Sequence, residues 1–120
     1  MAIVITEKTH LTVKKVTFDW TLVAGVAAGT TTKTYDGEVL RVCCKDCFST
    51  GYVLLLQDSD KFDLLGGQGA TMTSSGKDFG TSTGGSKTYP LSVVSGALTL
   101  DVESGYGFDE SVGKTIVYIR

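Results

Sequence analysis

The stretch from Tyr52 to Ala70, YVLLLQDSDKFDLLGGQGA, decides the reading of the fold. Tyr52 to Gln57 is an apolar run of strand length, Asp58-Ser59-Asp60-Lys61 is a polar turn, and Phe62 to Leu65 is a second apolar run. Gly66, Gly67 and Gly69 then break the second run. An apolar run of about four to eight residues between turn signals suits a buried strand, whereas a helix needs about ten to twelve. The segment reads as a central β-hairpin.

Toward the N-terminus, Lys14 to Leu22 alternates strictly, with Val16, Phe18, Trp20 and Leu22 on one side and Lys15, Thr17, Asp19 and Thr21 on the other. A period of two is a strand with one buried face, and it sends Trp20, the only tryptophan, into the core. Ahead of it, Ile3-Val4-Ile5 forms a hydrophobic stretch within a possible N-terminal arm over residues 1–10, either an edge strand or a segment reaching a neighbouring subunit. Residues 24–34, AGVAAGTTTKT, offer little apolar area against an ordering cost of about 1–2 kcal/mol per residue, and read as a flexible loop. Gly37 opens a second strong strand over Glu38 to Lys45, apolar on both faces and so expected inside a sheet.

Beyond the hairpin, residues 71–88 are rich in Gly, Ser and Thr and read as a second loop. Pro90 and LSVV, then Ala97 to Glu103 with Leu98, Leu100 and Val102 inward, and finally Gly113 to Arg120 supply the remaining strands. The sum is a single all-β domain over residues 1–120, an antiparallel β-sandwich or small barrel of about seven to eight short strands.

Composition narrows the function. Hydrophobic residues are 42% and charged residues 20% of the 120, an ordinary globular balance. A net charge of -2 and a pI near 5.2 give no electrostatic footprint for nucleic acid. No apolar stretch approaches the ~18 residues of a membrane-spanning helix, so no membrane association is expected. The start MAIVITEKTH lacks a basic segment and a cleavage pattern, and three cysteines do not make a secreted disulfide framework, so cytoplasmic synthesis is expected.

The candidate chemical motifs each fail a physical requirement. Cys44 and Cys47 have C-x-x-C spacing with Cys43 adjacent, but a structural zinc needs four ligands and His10 is the only histidine. A redox pair would sit in a βαβ setting that this chain lacks. Structural thiols are the better account. Asp58, Asp60 and Asp63 place Asp63 and Gly69 where a calcium loop needs Gly and Glu, so they read as solvated turn carboxylates. Gly66, Gly67 and Gly69 lack the following helix of a dinucleotide site, and Gly113-Lys114-Thr115 lacks a leading Gly, Phe108 standing in its place. A lone His10 supports no catalytic triad. The expectation is a protein without catalytic residues, metal or cofactor.

Four pieces carry a resemblance: Gly37 to Val42, Tyr52 to Ala70 with its LLQDSDKFDLLGGQGA core, Pro90-Leu91 through Gly96 to Val102, and Gly113 to Arg120. Together, covering less than half of the chain, they resemble a family of small β-rich virion structural proteins of tailed bacteriophages. The cluster Cys43, Cys44 and Cys47 departs from that pattern. The resemblance implies a β-rich structural component of the virion. A small compact β domain with a hydrophobic arm and two Gly/Ser/Thr loops suits docking on a repeating surface. The leading expectation is therefore a capsid decoration (cement) protein that binds the outer surface of the major capsid protein shell. It is expected to be a homo-oligomer, with a trimer matching the local symmetry of capsid lattices. The expected contacts are Ile3, Val4 and Ile5 of the arm, Val26 of the first loop, and Lys77 and Phe79 of the second. Two alternatives stand beside it. One is a neck or tail connector or fibre-attachment protein using Tyr35, Tyr106 and Phe108; the other is a small metal-binding protein using Cys43, Cys44, Cys47 and His10.

Overall fold

The computed structural model describes residues 3–45, 52–61, 63–65, 69, 72, 76–79, 93–104 and 112–120, with the backbone alone at 77–79 and 93. Among these residues the chain is all β, with nine strands and no helix. They are β1 (Ile3–His10), β2 (Val13–Thr21), β3 (Val26–Thr30), β4 (Tyr35–Lys45), β5 (Tyr52–Gln57), β6 (Lys77–Phe79), β7 (Val93–Gly96), β8 (Thr99–Ser104) and β9 (Val112–Ile119). The larger sheet runs β1-β2-β9-β4-β6, with β7 also paired to β4, and the smaller runs β3-β8-β5. All of the pairings are antiparallel. The two inner faces meet in one core, Phe18, Trp20 and Leu22 from one side and Leu54, Leu56, Leu100 and Val102 from the other. This is the β-sandwich expected from the strand spacing.

The alternation of β2 translates directly into burial: Val16, Phe18 and Trp20 are buried, while Lys15 and Asp19 are exposed. β4 lies inside its sheet, as its two apolar faces suggest, but its parity changes midway. Val39 pairs with Ile119 while Arg41 pairs with Tyr118, so Leu40 is the extra residue of a β-bulge. Val39 is therefore buried together with Val42 and Cys44, where uninterrupted alternation would put Val39 on the face of Cys43.

The segment 24–34 departs from its reading as a loop. Ala24 and Gly25 both have positive φ, 53° and 81°, and Val23 and Val26 exchange two backbone hydrogen bonds of 2.9 and 3.1 Å. That is a two-residue hairpin turn. It turns the chain from the larger sheet into β3, which pairs along β8 from Val26↔Glu103 to Thr30↔Thr99. Small residues here serve close packing: a Cβ on Gly29 would lie 3.1 Å from the Cβ of Ile3. β1 thus packs against β3 and closes one side of the sandwich.

The N-terminal stretch takes the edge-strand alternative, at the end of the larger sheet. Ile3 to His10 pair residue for residue with β2, and Ile3 is only 4% exposed. The central hairpin is half regular. β5 takes β8 as its full partner, and the return leg touches β5 through Leu64 N–H to Leu56, Gly69 carbonyl to Leu54 and Met72 N–H to Tyr52. A Cβ on Gly69 would collide with the Leu54 carbonyl, so that return depends on glycine. Phe62, Gly66 and Gly67 lie outside the described residues, as do most of 71–88.

If β1 belongs to the core, Ile3→Ala will lower the stability of the domain by about 2–5 kcal/mol. Val4→Ala, at an exposed position of the same strand, will change it by less than about 0.5 kcal/mol. Denaturant midpoints of the two variants check this, and equal small effects would restore the free-arm reading.

Candidate functional site

The sandwich interior holds a chain of polar atoms linking both sheets. Trp20 Nε1 donates to Thr115 Oγ1 at 3.2 Å, and Thr115 Oγ1 in turn donates to Cys44 Sγ at 3.6 Å. Cys44 Sγ also lies 3.5 Å from the Tyr52 hydroxyl. All four residues are buried, so the Cys44 thiol is packed among partners and closed to solvent. Cys43 points to the opposite, outer side and is half-buried. His10 is exposed at the end of β1, three strands or about 14 Å across the sheet from β4. The fold therefore does not bring His10 to Cys43 and Cys44, and Cys47 lies outside the described residues. Among the described residues no three His, Cys, Asp or Glu side chains are grouped to hold a metal ion.

A second polar cluster fastens β1 to the entry of β4. Glu7 Oε1 accepts from the Tyr35 hydroxyl at 2.6 Å and from Lys33 N at 3.2 Å, while Oε2 accepts from Thr32 Oγ1 at 2.8 Å. Burial acts to raise the Glu7 pKa, yet the donated hydrogen bonds outweigh it and hold the carboxyl below its ordinary value. Burial first, then the hydrogen bond and charge of Glu7, push the Tyr35 hydroxyl upward. Tyr35 is thus a buried structural donor rather than an exposed recognition ring, and Tyr106 and Phe108 lie outside the described residues.

Of the turn acids Asp60 is exposed, as expected, but Asp58 and Asp63 depart from a solvated set. Asp58 is buried; its Oδ1 accepts from Asp60 N at 3.0 Å and its Oδ2 from Ser95 N at 3.4 Å. Ser59 Oγ donates to the Ser95 carbonyl at 2.7 Å, and Asp63 Oδ1 accepts from Leu65 N at 3.1 Å. These carboxylates organise turns by bonding their own backbone.

Of the six expected contact residues, Ile3 is spent in the core and Ile5 is half-buried against it. Val4 and Val26 are exposed, at 57% and 44%. Lys77 and Phe79 lie in β6, opposite Cys44 and Val42 of β4, with their side chains outside the description.

Beside Val26, residues that the sequence reading passed over gather on the outer face of the smaller sheet. Register places Val26–Glu103–Val53 in one row, Ala28–Asp101–Leu55 in the next and Thr30–Thr99–Gln57 in the third. Val53 is 38% exposed, and Val23, at 60%, lies beside Val26 across the hairpin turn. β3, β5 and β8 contain no Lys or Arg. Asp101 Oδ1 is buried without a hydrogen-bond partner. The outer face of the larger sheet has the opposite character. One row runs Lys8–Lys15–Tyr118–Arg41, with Lys15 Nζ and Arg41 Cζ each 6.0 Å from the centre of the Tyr118 ring. Val53 and Leu55 were signals in plain view: a strand with only one buried face would place polar residues there.

No family model, curated protein or solved structure matches this chain.

The Glu7 cluster has a pH signature. A carboxyl whose folded pKa is depressed stabilises the protein above the unfolded value and loses that contribution as pH falls through the folded one. The unfolded reference is 4.5, so the cluster's contribution is complete above it and declines below it. Melting temperatures across that range will fall more steeply with acid for the wild type than for Glu7→Gln, and parallel curves would show that the cluster does not tune Glu7.

Proposed function

We propose that this chain is a non-enzymatic structural protein of a tailed-bacteriophage particle, a decoration protein that binds the outer surface of the capsid shell. The resemblance of the four segments supports the class. The observation that carries the docking role is the exposed apolar set at one end of the smaller sheet, Val26 and Val53 on its paired strands and Val23 bridged to Val26 across the hairpin turn. Apolar side chains held outward on a rigid sheet offer contact without an ordering cost at the moment of binding. A small contact of this kind binds firmly when a particle presents it in many copies. Val4, on the outer face of the larger sheet, is the arm residue that remains available for such a contact.

Fractionating particles of the encoding virus into capsids and tails, with copy number by mass spectrometry, tests the assignment. Hundreds of copies in the capsid fraction are expected. A count of about six to twelve at the neck or tail would assign a connector or fibre protein instead, since ring-shaped assemblies carry few copies. Absence from both fractions would overturn the virion reading.

A further inference from the structure

The two outer faces of the sandwich differ in charge, and the difference is complementary. The face of the smaller sheet has Asp101 and Glu103 on its central strand, flanked by Val26 and Ala28 on one side and by Val53 and Leu55 on the other. No cation stands on its strands, and one Asp101 oxygen is buried without a donor. The face of the larger sheet has Tyr118 at its centre between Lys15 and Arg41, with Lys8 completing the row. Two rows further along the same face Lys114 stands between Lys45 and Asp19, 3.5 Å from the latter.

We propose that a second copy of this chain is the partner of both faces, the smaller-sheet face of one molecule seating on the larger-sheet face of the next. This inference shares Val26 and Val53 with the proposed capsid contact, so in a stack only the end copy presents them to the shell. Its test uses the purified chain alone and fails or succeeds independently of the virion assignment. Pairing either face with its own kind would set Asp101 and Glu103 against their equivalents, or Lys8, Lys15 and Arg41 against theirs. Of these pairings, the head-to-tail arrangement is the one that sets Asp101 and Glu103 against Lys8, Lys15 and Arg41 and covers Val26 and Val53. A polyanion would satisfy the basic face and leave the acidic, apolar one bare. Because the faces lie on opposite sides of a sandwich, successive copies form an open stack and not a closed ring. The three-stranded face measures roughly 14 by 17 Å from strand spacing and rise, so each contact is small and its strength depends on concentration and salt.

The test is sedimentation velocity on the full chain under reducing conditions, at about 20 mM and about 500 mM salt. Wild-type protein will at least double its average mass between about 10 μM and about 1 mM at low salt, without levelling at a fixed number, and will return to monomer at high salt. Asp101→Lys combined with Glu103→Lys makes both faces basic, and Lys15→Glu combined with Arg41→Glu makes both acidic. Each double variant will stay monomeric alone, and an equimolar mixture of the two will associate again. Where a double variant loses its β-sheet circular dichroism, Glu103→Lys and Lys15→Glu, at exposed positions, take its place with the same expectation. A monomeric wild type, a closed dimer or trimer, or association that survives in either variant would overturn the proposal. So would binding of a fluorescent oligonucleotide that Lys15→Glu abolishes while the wild type remains monomeric.

Discussion

The fold depends on the way Trp20 is seated. On the larger sheet Trp20 stands opposite Gly113, and a Cβ there would run into the indole ring, so the ring occupies the space that a side chain on β9 would have filled. Its N–H cannot reach water from this position, and a buried donor without a partner would cost on the order of 1–3 kcal/mol. Thr115, two residues along β9, supplies the acceptor and passes its own proton toward Cys44 on β4. Three neighbouring strands are thereby locked in register by side chains as well as by their ladders. Tyr52 of the smaller sheet closes over the group, its ring 5.4 Å from that of Trp20 and its hydroxyl on the Cys44 sulfur. The distance between the sheets at this point is set by one aromatic pair and one chain of polar contacts.

Closure of the open side follows a different rule, the use of small residues. β1 can lie against β3 because Gly29 offers no side chain to Ile3, and Glu7 then fastens the far end of β1 through Thr32, Lys33 and Tyr35. An apolar N-terminal strand is consumed internally by this arrangement, which leaves Val4 as its outward apolar residue. What a partner can touch is decided by what the core has already used.

The sequence was legible where burial and periodicity coincide. β2 and β8 alternate because one side of each faces the core, and the antiparallel sandwich follows from strands of that kind spaced by glycine-rich turns. It was not legible where a strand owes its existence to its neighbour. Val26 to Thr30 has almost no apolar area of its own and becomes β3 through the ladder to β8 and the tight Ala24-Gly25 turn. The bulge at Leu40 is likewise invisible to a period of two, since it is the extra residue that breaks the period. Asp58 shows the same limit for side chains: it has the composition of a solvated turn, but Ser95, far along the chain, comes to cap it. The outer face of the smaller sheet was missed for a related reason. Val53 and Leu55 made the run from Tyr52 look buried on both sides, whereas β5 faces the core only through Tyr52, Leu54 and Leu56.

Charge gives the sharpest case of information lost in a sum. The chain carries eleven cations and thirteen acids, nearly balanced, and in sequence they are interleaved. Folding sorts them in part: β8 contributes only acids and β3 and β5 no charge, while β1, β2, β4 and β9 bring Lys8, Lys15, Lys114 and Arg41, with Asp19 among them, to one outer surface. Screening then keeps the sorted charges apart. The Debye length at physiological ionic strength is about 8 Å, well below the 25 Å of the shortest molecular dimension. An approaching molecule therefore feels the face before it and not the net charge of -2. The isoelectric point speaks for neither face, and the electrostatics that matter for recognition were set when β3, with no charge of its own, joined the sheet of β8 and gave its acids an uncharged flank.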